Sequence, residues 1–223
     1  MTIQITNINE LKTWKIMRFT FFGITAIAAM IFSACNNGDN KKEHENHAVN
    51  NDTVQHGTNT DDKEVKAVAV TYSNVDVKAA ASIKEIVDHY LHIKNALAND
   101  NGSEAAGAAK AMEVAISKLD KSLLTAEQKK VYDEIEEDLK EHAEHIGKNG
   151  DNIKHQREHF SMMSEDVYDL VRAFGGGQAL YHDHCPMYNE KKGAMWLSEM
   201  KEVKNPYFGA EMPTCGTVEE VIK

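Results

Sequence analysis

The residues best suited to chemistry lie near the end of the chain. Tyr181-His182-Asp183-His184-Cys185-Pro186-Met187 is answered downstream by Met212-Pro213-Thr214-Cys215-Gly216. Each half offers one thiol and one thioether, and ligand softness selects the metal. Cys with Met suits Cu(I), Cys with His suits Zn, and oxygen donors suit Ca or Mg. A proline beside each cluster limits backbone freedom and keeps the donors partly arranged. The expected ligands are Cys185, Met187, Met212 and Cys215, with His182, His184 and Met195 next, and the expected ion is copper(I), with silver or zinc as substitutes. Other readings stand beside this one. Outside the cytoplasm Cys185 and Cys215 can pair as a disulfide, which would make the tail part of a helical interaction or structural module with Trp196, Tyr207 and Phe208 packed or facing a partner. A zinc site from Cys185, Cys215 and His182 or His184 is a third reading, although its second half lacks the compact spacing of zinc motifs. The methionines also serve as adaptable core filler.

Three histidine pairs have helical spacing. His89/His92 and His142/His145 are i,i+3, and His155/His159 is i,i+4, so each pair shares a helix face. His142 falls on an apolar stripe, which favours a buried, hydrogen-bonded role, and His155 with His159 is the pair best placed to chelate. No Gly-x-Ser-x-Gly, His-Glu-x-x-His or phosphate-loop motif is present, so a binding protein is expected rather than an enzyme.

These side chains must be positioned by helices. Ser82 and Glu85 read as a capping box opening a first helix striped by Ile83, Ile86, Val87, Tyr90, Leu91 and Leu97. A break at 99–102 precedes a second helix, 103–119, whose alanines and Gly107 suggest close packing. Thr125 and Gln128 form another capping box, opening a third helix with Val131, Ile135, Leu139 and Ile146 inward. Asp151 can cap a fourth, carrying Ile153, Phe160, Met163, Val167, Leu170, Val171 and Phe174, which Gly175 ends. Short connections favour a four-helix antiparallel bundle. The fold expected is all-α: a bundle over 75–177 with an irregular Cys/Met/His segment, 178–223, packed on it. All three prolines lie in that segment. Strand patterning is weak, save for some alternation over 65–77.

The remaining length reads as export and tether. The apolar run 19–32 is shorter than the roughly 20 residues a spanning helix needs, and Lys12, Lys15 and Arg18 precede it. Phe32-Ser33-Ala34-Cys35 then follows the pattern of a lipoprotein signal, with 1–34 removed and Cys35 lipidated; Met1 and Met17 both serve as starts. Residues 35–74 read as a flexible polar tether, too poor in apolar residues to fold, in which His44, His47 and His56 could scavenge metal weakly. The protein is expected to face the periplasm from the inner or the outer membrane. Its formal net charge of −10 argues against nucleic acid as a partner.

The tail stretch Cys185-Pro186-Met187, Gly193-Ala194-Met195-Trp196-Leu197-Ser198, Asn205-Pro206-Tyr207-Phe208-Gly209, Met212 and Cys215-Gly216 resembles the domain of unknown function 3347 family. Gln156-Arg157 with Phe160 and Ser164, and the Tyr90-Leu91 to Leu97 stretch, fit the same family, so the resemblance spans roughly 80–222. Members are exported, often as lipoproteins, and the domain also occurs attached to copper/silver-type efflux adaptors. The resemblance therefore implies periplasmic metal handling: a protein that buffers copper(I) or passes it to an efflux adaptor or another copper-handling protein. No adaptor hairpin or lipoyl-like half is visible in this chain, which favours a free-standing metallochaperone or sensor-like role.

Overall fold

The computed structural model describes residues 65–223. The signal segment, the Cys35 lipidation site and the tether histidines His44, His47 and His56 lie outside the described residues.

Four long helices form in order. Helix α1 is Val77–Ala98, capped by Asp76, whose carboxylate accepts from the Lys78 and Ala79 N–H groups. The expected start at Ser82 was therefore too late: three alanines, good helix formers, carry the helix back to the Asp76 cap. Helix α2, Gly102–Lys118, starts from Asn101. Helix α3, Ala126–Lys148, has both halves of the expected capping box: Gln128 N–H donates to Thr125 Oγ1 at 3.3 Å and Thr125 N–H to Gln128 Oε1 at 3.0 Å. Helix α4, Ile153–Phe174, is capped by Asn152, not Asp151, and ends at Gly175 with φ +82°. Each helix packs on the next and α4 returns to α1. The apolar stripes meet in one core, with Ile83, Tyr90, Leu97, Met112, Ile116, Leu139, Phe160 and Val167 almost wholly excluded from solvent. Gly107 faces outward with open space at its Cβ position; the close approach falls instead at Gly150, where a Cβ would stand 3.2 Å from that of Ala106.

The all-α expectation needs correction, because the tail is not irregular. Strands β2 (Leu180–Cys185), β3 (Ala194–Ser198) and β4 (Thr217–Ile222) join β1 (Lys66–Val68) in a mixed sheet of order β1-β4-β2-β3. β2 is antiparallel to β3 and β4, while β1 runs parallel to β4, pairing Lys66 with Glu220 and Val68 with Ile222. Residues 66–68, read as the end of the tether, are thus part of the fold. A register shift at His182/Asp183 interrupts the β2–β4 ladder, and polar residues occupy part-buried and buried strand positions. That mixture hides the alternation by which strands are recognised.

The sheet and the loop before β4 are fastened to the bundle by polar side chains. Arg157 of α4 donates to Pro206 O at 2.8 Å, to Leu97 O at 2.9 Å and to Asp100 Oδ1 at 2.6 Å, while Asp100 Oδ2 accepts the Ala210 N–H. Asn205 Oδ1 accepts from the Tyr207 and Phe208 N–H groups, and its amide donates to Cys215 O at 2.6 Å. Tyr90 links three elements: its hydroxyl lies 2.9 Å from Ser164 Oγ on α4 and accepts the Leu197 N–H of β3. The buried Lys94 ammonium reaches Glu199 at 2.7 Å and Ser198 Oγ at 3.3 Å. Among the described residues, no helix is long and apolar enough to cross a membrane.

Candidate metal centre

The antiparallel packing of α3 on α4 brings two of the histidine pairs into a single cluster. On α3, i,i+3 spacing places His142 and His145 on one face; on α4, i,i+4 spacing does the same for His155 and His159. His145 Nδ1 lies 3.4 Å from His155 Nε2, and His142 Nδ1 lies 3.2 Å from His159 Nδ1. The His145 and His159 rings stack at 4.0 Å. One nitrogen from each of His145, His155 and His159 lies within 4.8 Å of the others, the one such group of three among the described residues. Zinc–imidazole bonds of about 2.0–2.1 Å in a tetrahedral site put ligand nitrogens about 3.4 Å apart, so the His145–His155 spacing fits an ion directly and small side-chain rotations would bring in His159.

The surroundings favour the neutral form of His142 and His159, the form in which an imidazole ligates a metal. Burial lowers the His159 pKa to about 4, helped by repulsion from His145, His155 and His142. Burial also lowers that of His142, against the pull of Glu141 and Asp138. Glu158 stands 3.5 Å from His155 Nδ1 and Asp166 stands 3.8 Å from His142 Nε2. Asp166 itself is pushed up to about 7 by burial and by Asp138, Asp169 and Glu165, and its Oδ2 has no hydrogen-bond partner. The donor set of three imidazoles with carboxylates behind them fits Zn or Cu and does not resemble an oxygen cage for Ca or Mg.

The two cysteine loops also meet. Cys185 Sγ and Cys215 Sγ are 2.7 Å apart. A disulfide bond is about 2.05 Å, whereas two thiolates sharing a tetrahedral zinc at 2.3 Å would stand about 3.8 Å apart. The pair is therefore set close enough to bond, and an ion would have to part the sulfurs by about 1 Å. Desolvation and the neighbouring thiol push the Cys215 thiol upward, which keeps it protonated and disfavours ready ligation. Cys185 is buried and Cys215 partly so.

The other expected ligands are spread out. His182 and His184 project from β2 toward β4, where His182 Nδ1 is 3.9 Å from both Glu219 and Glu220 and His184 Nδ1 is 3.5 Å from Glu219. Met195 pairs with His184 across β2–β3. Met187 follows the buried Cys185 into solvent at 45 % exposure, and Met212 is half-buried beyond the 3-10 turn Gly209–Glu211. His92 is 2.9 Å from Glu104 and takes no part in the cluster. The sequence reading named His155 and His159 as ligands but left out His145. Its signal was present, since α3 and α4 follow one another through a short connection and both carry a pair near the shared end.

No curated protein and no solved structure matches this chain. The tail motif carried the resemblance seen in the sequence, but the matched stretch is the helical one. It runs from Ile86 in α1 to Ala179, one residue before β2, and over that stretch the chain is similar to the family described as Protein of unknown function (DUF3347).

Proposed function

We propose that the protein is an exported, lipid-anchored metal-binding protein, and that the ion is held between α3 and α4 by His145, His155 and His159. The observation that carries this reading is the convergence of three imidazole nitrogens within 4.8 Å from two adjacent helices. Imidazole sites take Cu and Zn readily. Copper comes first because thiols and thioethers, soft donors suited to Cu(I), crowd the C-terminal part of the same domain, with silver or zinc as substitutes. Three protein ligands leave a position open, as suits a protein that buffers an ion or hands it to an efflux partner. Lipidation at Cys35 would keep that exchange at the membrane surface facing the periplasm.

A second reading has its own observation, the adjacency of the Cys185 and Cys215 thiols. Oxidised, they close the loop between β2 and β4 and make the tail a rigid interaction module. Reduced and opened, they offer the dithiol copper(I) site with Met187 and Met212.

Titrating the mature protein with Cu(II) and Zn(II), and repeating it with His145→Ala and His159→Ala, tests the histidine centre. Each substitution should weaken binding by about 100-fold, the upper end of what loss of even an outer-shell partner costs. Unchanged affinity in both variants would sink it. For the second reading, thiol counting on protein isolated from its native compartment decides whether the cysteines are bonded.

A further inference from the structure

Between α4 and the turn joining β2 to β3 lies a cavity of about 570 Å³, lined by Met162, Met187, Tyr188, Phe208, Glu158 and Glu190 among others. Four large hydrophobic side chains among the described residues are exposed; two of them are Met162 at 43 % and Met187 at 45 %, and both line this cavity. Thioethers are soft donors that select monovalent copper or silver over zinc, and their three rotatable bonds let two of them close on one ion. Glu158 and Glu190 bring negative charge to the rim, partly offset by Lys154. The wall is under backbone strain: Asn189 and Glu190 have φ of +51° and +56°, and the next residue, Lys191, has φ of +67°. Left-handed backbone is sterically unfavourable for most L-residues, and strain of this kind gathers at ligand sites.

The cavity also touches both clusters already described. Glu158 pairs with His155 at 3.5 Å, and the Met187 N–H donates to the Cys215 sulfur. We propose that Met162 and Met187 form a thioether site for a soft monovalent cation, Cu(I) or Ag(I), lying between the imidazole centre and the thiol pair. It is a site distinct from the histidine centre: the imidazoles take copper and zinc alike, whereas thioethers favour the soft monovalent ions over Zn(II).

The test uses Ag(I), which is redox-inert, on the mature protein carrying Cys185→Ser and Cys215→Ser so that thiols do not compete. With methionine methyl groups labelled, the first equivalent of Ag(I) should shift the Met162 and Met187 signals ahead of the other methionines. Adding Met162→Leu and Met187→Leu, volume-conserving changes that cores tolerate, should lower Ag(I) affinity at least about tenfold, as expected when the soft donors are removed. Zn(II) affinity should stay unchanged in the same protein. First shifts at other methionines, or an Ag(I) affinity that both leucines leave unchanged, would overturn the thioether site. Zn(II) binding indifferent to His145→Ala would count against the histidine centre alone.

Discussion

The histidine cluster and the C-terminal loop sit on the same helix, α4, yet are built in opposite ways. Around Arg157 and Asn205 nearly every donor and acceptor is matched: guanidinium to two carbonyls and a carboxylate, amide to one carbonyl and two N–H groups. One turn away, four imidazoles face one another, and their nitrogens contact chiefly other imidazoles. A satisfied network rigidifies, whereas imidazoles converging from two helices are the donor type that copper and zinc select. Asn205 of the tail motif thus acts as a fastener together with Arg157, and the proposed ligand-bearing face is a helix interface.

The largest expected effect would break the fastening side of the contrast. Arg157→Ala removes three hydrogen bonds at once and leaves the carbonyls of Leu97 and Pro206 without their donor. It should cost about 2–4 kcal/mol, in the range of lost charge-assisted bonds plus orphaned partners, seen as a lowered denaturant midpoint. If stability hardly changes, the loop is held by its apolar contacts instead. The matching test on the other side is His159→Ala, which should weaken metal binding as described above while moving the metal-free unfolding midpoint by less than about 1 kcal/mol, since it removes a repelled, half-buried ring.

Asp183 sharpens the comparison through pH. It is wholly buried in β2, neither carboxylate oxygen has a hydrogen-bond partner, and burial raises its pKa to about 7 against the pull of Lys94. A carboxyl whose folded value lies above its unfolded one binds its proton more tightly in the native state. Its contribution is favourable at low pH and is lost as pH rises from about 4 toward 7. Asp183→Asn should therefore gain stability relative to the parent at pH 8, by about 1–3 kcal/mol, with the gain shrinking toward pH 5. A difference independent of pH would mean that the carboxylate is already satisfied. The smallest effect is expected from Thr125→Ala, which removes the cap of the helix bearing His142 and His145. It should cost about 1 kcal/mol and leave metal affinity unchanged, since the cap lies at the opposite end of α3 from the cluster.

The bundle was legible because its signals are local. The stripe from Ile83 to Leu97, the Thr125/Gln128 box and the Gly175 stop each depend on residues within a turn or two, and all appear in the structure. The sheet was not legible, because β2 reads Leu-Tyr-His-Asp-His-Cys and its pairing is with residues nine to forty-two positions later. Asp183 became a buried strand residue only through packing that no short window contains. The candidate site was half legible. Spacing put His155 with His159 and His142 with His145 on shared faces, but only the packing of α3 on α4 decides that the two faces coincide. The meeting of Cys185 and Cys215 rested on chemistry rather than pattern, and the structure does bring the two sulfurs together.

Strand β1 belongs to a stretch whose composition suggests a disposable leader, yet its three residues occupy the rim of the sheet beside β4. A shortened version of the protein beginning at residue 75 would strip that rim and leave a row of β4 amide and carbonyl groups with no neighbour. Such a bare border is a template for a strand from another molecule, so trimming the protein to its obvious helices would be expected to make it self-associate.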